Sequence, residues 1–443
     1  MIFNFTLEDE NGVEKIAIFN PTNSSFFWRE NGQPVLSDLE KKEIFFPVIH
    51  KTSPTNPNKK SQFLKNIKIQ MGFACNFTCN YCSQSNLRSD QKEIISLSNE
   101  KAEAFIKKIP DWLKIDTNED KNVSVEFWGG ETLLYWKAVV KIADYLRNTF
   151  PNINLGLFTN GSLITKDIAD LALKLRIHFI ISHDGPTFTE DRGKDPLENP
   201  HQLENIKYLF SKLSPFGLIS FNATISIKNF SHIEIRNYIA DKLSVEKSKI
   251  NLSTEVATPY DQKGLNYIAK EENQNFLINK IYDEYKKQYP FELALGSIDR
   301  HLLDFFNAFS GNRTTESIGQ KCGMDSEYSL ALDLDGNVLT CQNVTANSGH
   351  KIGHIEKFNE IKLNTAYHWT ERSECNACPV VQICKGSCMF LKDKLWESSC
   401  NQHFIWSLSF LAFAINISTN LKLKKIEAPS IRNKNISSLQ IIN

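Results

Sequence analysis

Between residues 64 and 256 the sequence alternates short β-favouring apolar runs with segments whose apolar positions recur every three or four residues. That alternation leaves few folds open. The β-type runs cover 64–71, 123–127, 155–158, 179–182, 221–227 and 250–256. Between them, Phe105, Ile109, Trp112 and Leu113 share one helical face, and Trp136, Val139, Val140, Ala143 and Leu146 share another. Such repetition predicts parallel strands joined by crossover helices, in a sheet that is either doubly wound or curved into a partial barrel. The chemistry-bearing residues favour the barrel. Cys75, Gly129-Gly130-Glu131, Thr159-Asn160-Gly161 and Asp184-Gly185 each fall just past the C-terminal end of a β run, which is where β/α barrels assemble their sites. The expected fold is α/β, a partial (β/α)6 TIM-type barrel with a C-terminal cysteine-rich domain and a small N-terminal β unit.

The flanking segments have their own patterns. Residues 2–7 and 13–19 are rich in Phe, Ile and Val and flank Glu10-Asn11-Gly12, whose Asn-Gly pair suits a tight turn, so a β unit is expected within 1–50. Residues 51–60 hold Pro54 and Pro57 and no apolar side chain, and read as a linker. The barrel core is placed at 61–258. A helical bridge follows at 259–320, with helices near 273–285 and 298–309, then a cysteine-rich domain at 321–403. A helix over about 404–417 and a polar, frayed tail complete 404–443.

Lysine plus arginine balance aspartate plus glutamate at 51 each, so no nucleic-acid or anionic membrane surface is expected. The first residues lack the features of a signal peptide, and the apolar run 404–415 is too short and serine-interrupted to span a bilayer. A cytoplasmic protein is expected. Ten cysteines in that setting suggest metal ligands or catalytic thiols rather than a disulfide framework.

Cys75, Cys79 and Cys82 offer three thiolates within eight residues, in the loop after the first barrel strand. Zinc sites and electron-transfer clusters normally take four protein ligands; three cysteines around a cubane leave one iron free for a cofactor. A zinc knuckle borrowing a distant ligand is the competing reading. The spacing resembles that of the radical S-adenosylmethionine superfamily, and Tyr81 matches the aromatic residue usual before the last cysteine. The resemblance implies a 4Fe-4S cluster whose open iron chelates the methionine moiety of S-adenosyl-L-methionine. Reduction then releases a 5′-deoxyadenosyl radical that abstracts hydrogen from a substrate. Gly129, Gly130 and Glu131 resemble the family's Gly-Gly-Glu-Pro motif, with Thr132 in place of proline, and this implies a hold on the methionine amino group. Asn160, Ser182 and Asp184 match positions beside the ribose and carboxylate. As turn sequences, Asn-Gly and Asp-Gly-Pro are ordinary, and His183 is read as the partner of a neighbouring carboxylate.

Cys322, Cys341, Cys375, Cys378, Cys384, Cys388 and Cys400 follow the spacing of the family extension called SPASM, found in radical enzymes that modify peptides and proteins. Residues 330–339 alternate apolar and polar side chains into an Asp-Gly turn, as expected of a hairpin that delivers Cys341. The resemblance implies two auxiliary 4Fe-4S clusters, three clusters in all. Cys375, Cys378, Cys384 and Cys400 would hold the second, and Cys322, Cys341 and Cys388 the first. The first is one cysteine short, which implies an open iron or a non-cysteine ligand. A zinc ribbon is the competing reading, although seven thiolates divide awkwardly into four-coordinate sites.

The expected activity is that of a radical S-adenosylmethionine peptide maturase, an oxidoreductase that installs a carbon–carbon, ether or thioether cross-link on a ribosomally synthesised precursor peptide. Its expected partners are that peptide and a flavodoxin or ferredoxin-type reductant. Sulfatase maturation is demoted: the position of the base used by those relatives is Gln342, while Glu190-Asp191 stand in for a usual His-Asp pair and Lys194 stands near the usual arginine. A small-metabolite radical enzyme and a non-catalytic iron-sulfur electron carrier are the alternatives. The N-terminal hairpin either docks a leader peptide by β-addition or covers the barrel.

Overall fold

The computed structural model describes the chain apart from residues 37–42, 88–90, 116–119, 262–263, 268–269, 289–296 and 443. In chain order the strands are β1 (Phe3–Glu8), β2 (Glu14–Asn20), β3 (Ser25–Trp28), the short β4 (Asn58–Lys59), and six barrel strands: β5 (Asn66–Gln70), β6 (Ser124–Trp128), β7 (Asn154–Thr159), β8 (Ile177–Ser182), β9 (Ile219–Ile225) and β10 (Leu252–Val256). Then come β11 (Ser329–Asp333), β12 (Asn337–Leu339), β13 (Lys351–His354), the short β14 (Lys362–Leu363), β15 (Lys422–Glu427) and β16 (Ser438–Gln440).

β5 to β10 pair parallel in sequence order, each with the next, and helices cross between most of them. All six runs read from the sequence form strands, and together they make the partial barrel. β11 adds parallel to the free side of β5, then β12 and β13 extend the sheet antiparallel. The β11–β12 hairpin turns at Gly336, whose φ of +89° is the left-handed conformation that glycine adopts without penalty.

Strand alternation divides the two faces of the sheet. Ile67, Ile69, Val125, Phe127, Leu155, Leu157, Phe179, Ile181, Phe221 and Ala223 are buried in one core with helix residues Phe105, Ile109, Val139, Ile142, Leu209 and Ile239. Each large apolar side chain so buried stabilises the fold by about 1.5–3 kcal/mol relative to exposure. The other face carries Lys68, Gln70, Glu126, Trp128, Phe158, His178 and Ser182, in a register that sets Lys68, Glu126, Gly156 and His178 side by side. This second face lines the concave interior.

A second core joins the chain ends. The polar tail, expected to fray, instead forms β15 and β16, and the second sheet runs β16-β15-β1-β2-β3. Leu423 and Ile426 are fully buried there beside Phe3, Phe5 and Phe19, on either side of a register shift against β1, so these two apolar residues of the tail have a partner face that the local pattern does not reveal. The C-terminal helix runs over Asp393–Thr419, earlier than expected, and carries Cys400 on its first turns. Its residues from Ser407 to Ile415 are all buried, against partners that include Tyr285 and Phe305. Among the described residues no helix is long and apolar enough to cross a membrane.

Candidate functional site

The loop after β5 carries Cys75, Cys79 and Cys82, all partly exposed. Short contacts shape it. The Ala74 amide donates to the Tyr135 hydroxyl at 2.9 Å and the Phe77 amide to the Cys75 sulfur at 3.4 Å. Asn80 ties the loop to the segment after β8, donating from its amide to the Asp191 carbonyl at 2.8 Å and from its side chain to the Glu190 carbonyl at 3.1 Å. Asn160, at the end of β7, donates to the Asn76 side chain at 2.9 Å, and Asn76 in turn donates to Ser162 at 2.8 Å. Loops after three strands are thereby held against the cysteine loop.

The Gly129-Gly130-Glu131 strip lies on the same loop. The Gly130 amide donates to the Gly72 carbonyl at 2.9 Å and the Glu131 amide to the Ala74 carbonyl at 2.8 Å. A side chain at Gly130 would run into the Phe73 and Ala74 carbonyls, so only glycine lets these backbones meet. Glu131 is 1 % exposed, and its carboxylate accepts from the Leu133 amide (2.8 Å), the Thr159 hydroxyl (2.7 Å) and the Asn160 amide (2.7 Å). Burial lifts its pKa above the ordinary carboxylate value despite those three donors. The sequence resemblance implied a carboxylate for an ammonium group. The structure turns that carboxylate inward to clamp the β6 and β7 loops, and what the strip presents outward is the part-exposed backbone of Gly129 and Gly130.

After β8, Asp184 is fully buried and receives Arg192 twice, Nε at 2.7 Å and Nη2 at 2.9 Å, with the Thr224 amide at 2.9 Å and the Tyr81 hydroxyl. Burial opposes its charge, but the Arg192 guanidinium prevails and holds the carboxyl below its usual range. Tyr81, from the cysteine loop, packs on Ala257 with the Arg192 guanidinium 5.4 Å from its ring. The arginine of this site is therefore Arg192, missed in the sequence because it directly follows Glu190-Asp191; Lys194 is exposed. His183 pairs with Asp195 at 2.9 Å, and its Nδ1 accepts from the Gly185 amide, which leaves Nε2 as the donor. Ser182 is partly exposed on the concave face of β8.

No disulfide joins any of the ten cysteines. Cys375, Cys378, Cys384 and Cys400 line one pocket with Val380, Val381 and Phe404. Burial, then the neighbouring thiols, push Cys375 and Cys378 well above the ordinary thiol value, and Cys384 up to about 11. The Arg432 guanidinium donates to the Cys400 sulfur at 3.1 Å from the far end of the chain. Cys322, Cys341 and Cys388 form a second group, near enough that Cys322 and Cys341 each feel the charge of Cys388. Among the described residues no three His, Cys, Asp or Glu side chains close on a single metal ion. The four cysteines that share a pocket are a donor set of the kind that a cationic iron-sulfur cluster would bind as thiolates.

Polar side chains inside the barrel had no motif to announce them. Lys68, Glu126 and Lys321 line one cavity with Cys322. The Trp128 indole donates to Glu126 at 2.9 Å and stacks on Phe158 with ring centroids 3.7 Å apart.

Residues 69–239 match the radical SAM superfamily. A radical SAM cyclopropyl synthase, TigE, from Paramaledivibacter caminithermalis is 24% identical over 357 residues, spanning 77% of this chain and 71% of that protein. An uncharacterized protein from Methanocaldococcus jannaschii is 25% identical over 307 residues, 68% of this chain and 92% of that protein. The fold is shared with anSMEcpe, solved with bound AdoMet and the Cp18Cys peptide, at a TM-score of 0.55 and 16% identity over 80% of this chain and 99% of that one. The six-strand parallel core and its three-cysteine loop thus overlap the segment, residues 69–239, that matches the radical SAM superfamily, whose members use S-adenosylmethionine and a 4Fe-4S cluster.

Proposed function

We propose that this chain is a radical S-adenosylmethionine peptide maturase with three 4Fe-4S clusters, acting on a ribosomally synthesised precursor peptide to install an oxidative cross-link. The observation that carries this reading is the gathering of Cys375, Cys378, Cys384 and Cys400 around one pocket, separate from the loop of Cys75, Cys79 and Cys82. An enzyme that only generates a radical needs one cluster. Further clusters suit a reaction that must shed an electron after hydrogen abstraction and bond formation.

Cys75, Cys79 and Cys82 would hold the first cluster, which when bound supplies the one-electron reduction of S-adenosylmethionine. The protein orients and shields the cofactor. Gly129 and Gly130 bring bare backbone to the cofactor's amino group, and Asp184 and Arg192 fix the Tyr81 ring beside it. Asn160 holds the cysteine loop through Asn76, and Ser182 faces the same interior. Lys68 and Glu126 give the cavity one cation and one anion on adjacent strands, suited to a substrate backbone and to taking up a proton.

A carbon–carbon bond is favoured among the three cross-link types, because the named relative is a cyclopropyl synthase. Sulfatase-like oxidation remains the lesser reading: the Gln342 amide beside Cys341 is no base. The domain division stays as read from the sequence for 61–258, 259–320 and 321–403. For 1–50 and 404–443 we propose one composite unit, whose terminal strand β16 is where a leader peptide would add, the outer edge of β3 being paired with residues 33–35. A flavodoxin or ferredoxin-type protein would supply electrons in the cytoplasm. Co-expression with short peptides encoded beside the gene tests the function. The expected product is a peptide lighter by two hydrogens with a new intramolecular bond in its fragmentation spectrum; unmodified peptide with turnover of a small metabolite would overturn it.

A further inference from the structure

The cysteine loop after β5 and the turn that carries Cys341 come from distant parts of the sequence, yet two buried glutamines join them. Gln70, the last residue of β5, is 2% exposed, and its amide is used at both ends. Its Oε1 accepts from the Gly72 amide, and its Nε2 donates to the Gln342 carbonyl at 3.4 Å. Gln84, also buried and two residues past Cys82, donates from Nε2 to the Asn343 side-chain oxygen at 3.2 Å. The 342–343 turn is thus bonded just before the first cysteine loop and just after it.

Both ends of this linkage reach a functional group. Gly72 in turn accepts from the Gly130 amide at 2.9 Å, so three hydrogen bonds lead from Gln342 through Gln70 and Gly72 to the glycine strip. At the other end the turn is wound on the Cys341 sulfur, to which the Asn343 amide donates at 3.5 Å. A sulfur held by iron would fix the Gln342 carbonyl and the Asn343 side chain where the glutamines meet them. A buried amide that loses such a partner bears the desolvation cost of the freed group, so the state of the turn is felt at Gly72 and at the segment after Cys82.

We propose, resting on the reading of Cys322, Cys341 and Cys388 as an auxiliary-cluster site, that Gln70 and Gln84 are positioning residues that couple this site to the S-adenosylmethionine site. Filling the three-thiol site tightens cofactor binding at Gly129 and Gly130. Coupling between two sites is reciprocal, so bound cofactor also helps those thiols retain iron. The chain thereby holds its cofactor best when the site that would receive the substrate's electron is loaded.

The test is a double-mutant cycle read by binding. Cys322→Ala with Cys388→Ala removes two of the three thiols and leaves residues 341–343 unaltered. Full chain with and without that change is reconstituted without oxygen, and binding of radiolabelled S-adenosylmethionine is measured by equilibrium dialysis in the absence of reductant. Iron should fall from about twelve to about eight per chain, and the cofactor dissociation constant should rise about fivefold or more. With Gln70→Met and Gln84→Met added to both, the two chains should bind alike, whatever their common affinity. The cofactor should also slow loss of the auxiliary irons to a chelator in the parent but not in the glutamine variant, a readout that a merely structural role would not move. Should that variant fail to load its first cluster, Gln84→Met alone completes the cycle, with a narrowed ratio expected. Iron that falls to about eight at unchanged cofactor affinity, or a ratio undiminished in the glutamine variants, overturns the coupling and leaves the auxiliary-cluster reading standing. A parent holding about four irons, unaffected by the cysteine changes, overturns that reading and the coupling with it.

Discussion

Asp184→Asn is the perturbation whose cost can be worked most fully from the structure. Four donors converge on this carboxylate: two from Arg192, at 2.7 and 2.9 Å, the Thr224 amide at 2.9 Å and the Tyr81 hydroxyl. Arg192 Nη2 and Thr224 share one oxygen, while Arg192 Nε and Tyr81 share the other. An asparagine has a single oxygen, so in either orientation its NH2 confronts one of these pairs, and Arg192 loses a bond each time. The guanidinium would be left charged at 9% exposure without a counter-ion. Removing one partner of a buried pair costs about 3–5 kcal/mol. At 1.4 kcal/mol per factor of ten, amide hydrogen exchange across β8 and β9 should accelerate by about a hundredfold to a few thousandfold. Mass-spectrometric exchange of cluster-free protein reads this directly. Acceleration below about tenfold would refute the reasoning. Adding Arg192→Met should restore most of the protection, since the stranded charge is what costs; no restoration would place the loss elsewhere.

Gly130→Ala should push its new methyl into the Phe73 and Ala74 carbonyls, at about 1–3 kcal/mol, and displace the Cys75 loop. Iron analysis should show a loss of about four irons per chain with the auxiliary irons retained; full iron content and unchanged cofactor binding would contradict it. Arg432→Met removes a cation and a donor from Cys400, which should lower the reduction potential of the cluster at Cys375, Cys378, Cys384 and Cys400 in an EPR titration; an unchanged potential would show that the contact is incidental. Burial lowers the pKa of His232 to about 3 and of His368 to about 4. Both must stay neutral in the fold but protonate near pH 6.5 when unfolded. Stability of the cluster-free chain should therefore fall as pH drops from about 6.5 toward 4, each histidine adding up to about 1.4 kcal/mol per pH unit. His232→Gln should flatten that slope in urea titrations, and an unaltered slope would mean that the ring is protonated in the fold.

What the sequence made legible was whatever has a local period or fixed spacing. Six strands and the hairpin before Cys341 announce themselves by alternation, and the cysteine loop by three cysteines within eight residues. The clamp made by Glu131 was not legible, because Thr159 and Asn160 reach it only after β7 is laid beside β6. Arg192 was hidden for a similar reason: its link to Asp184 depends on the short turn after β8, and Lys194 occupies an equally plausible place in the linear pattern. The tail looked polar, since β15 buries just two residues, Leu423 and Ile426, among lysines. Its partner, β1, lies at the other end of the chain.

The most direct measurement is 5′-deoxyadenosine formation by the whole chain, reconstituted with iron and sulfide without oxygen and given S-adenosylmethionine and dithionite. The full chain should produce 5′-deoxyadenosine only with the reductant. The Cys75→Ala, Cys79→Ala, Cys82→Ala chain should produce none while retaining about eight of about twelve irons. Production by that triple variant, or an iron-loaded full chain that leaves S-adenosylmethionine intact, would contradict the assignment of those three thiols to the cofactor-cleaving site.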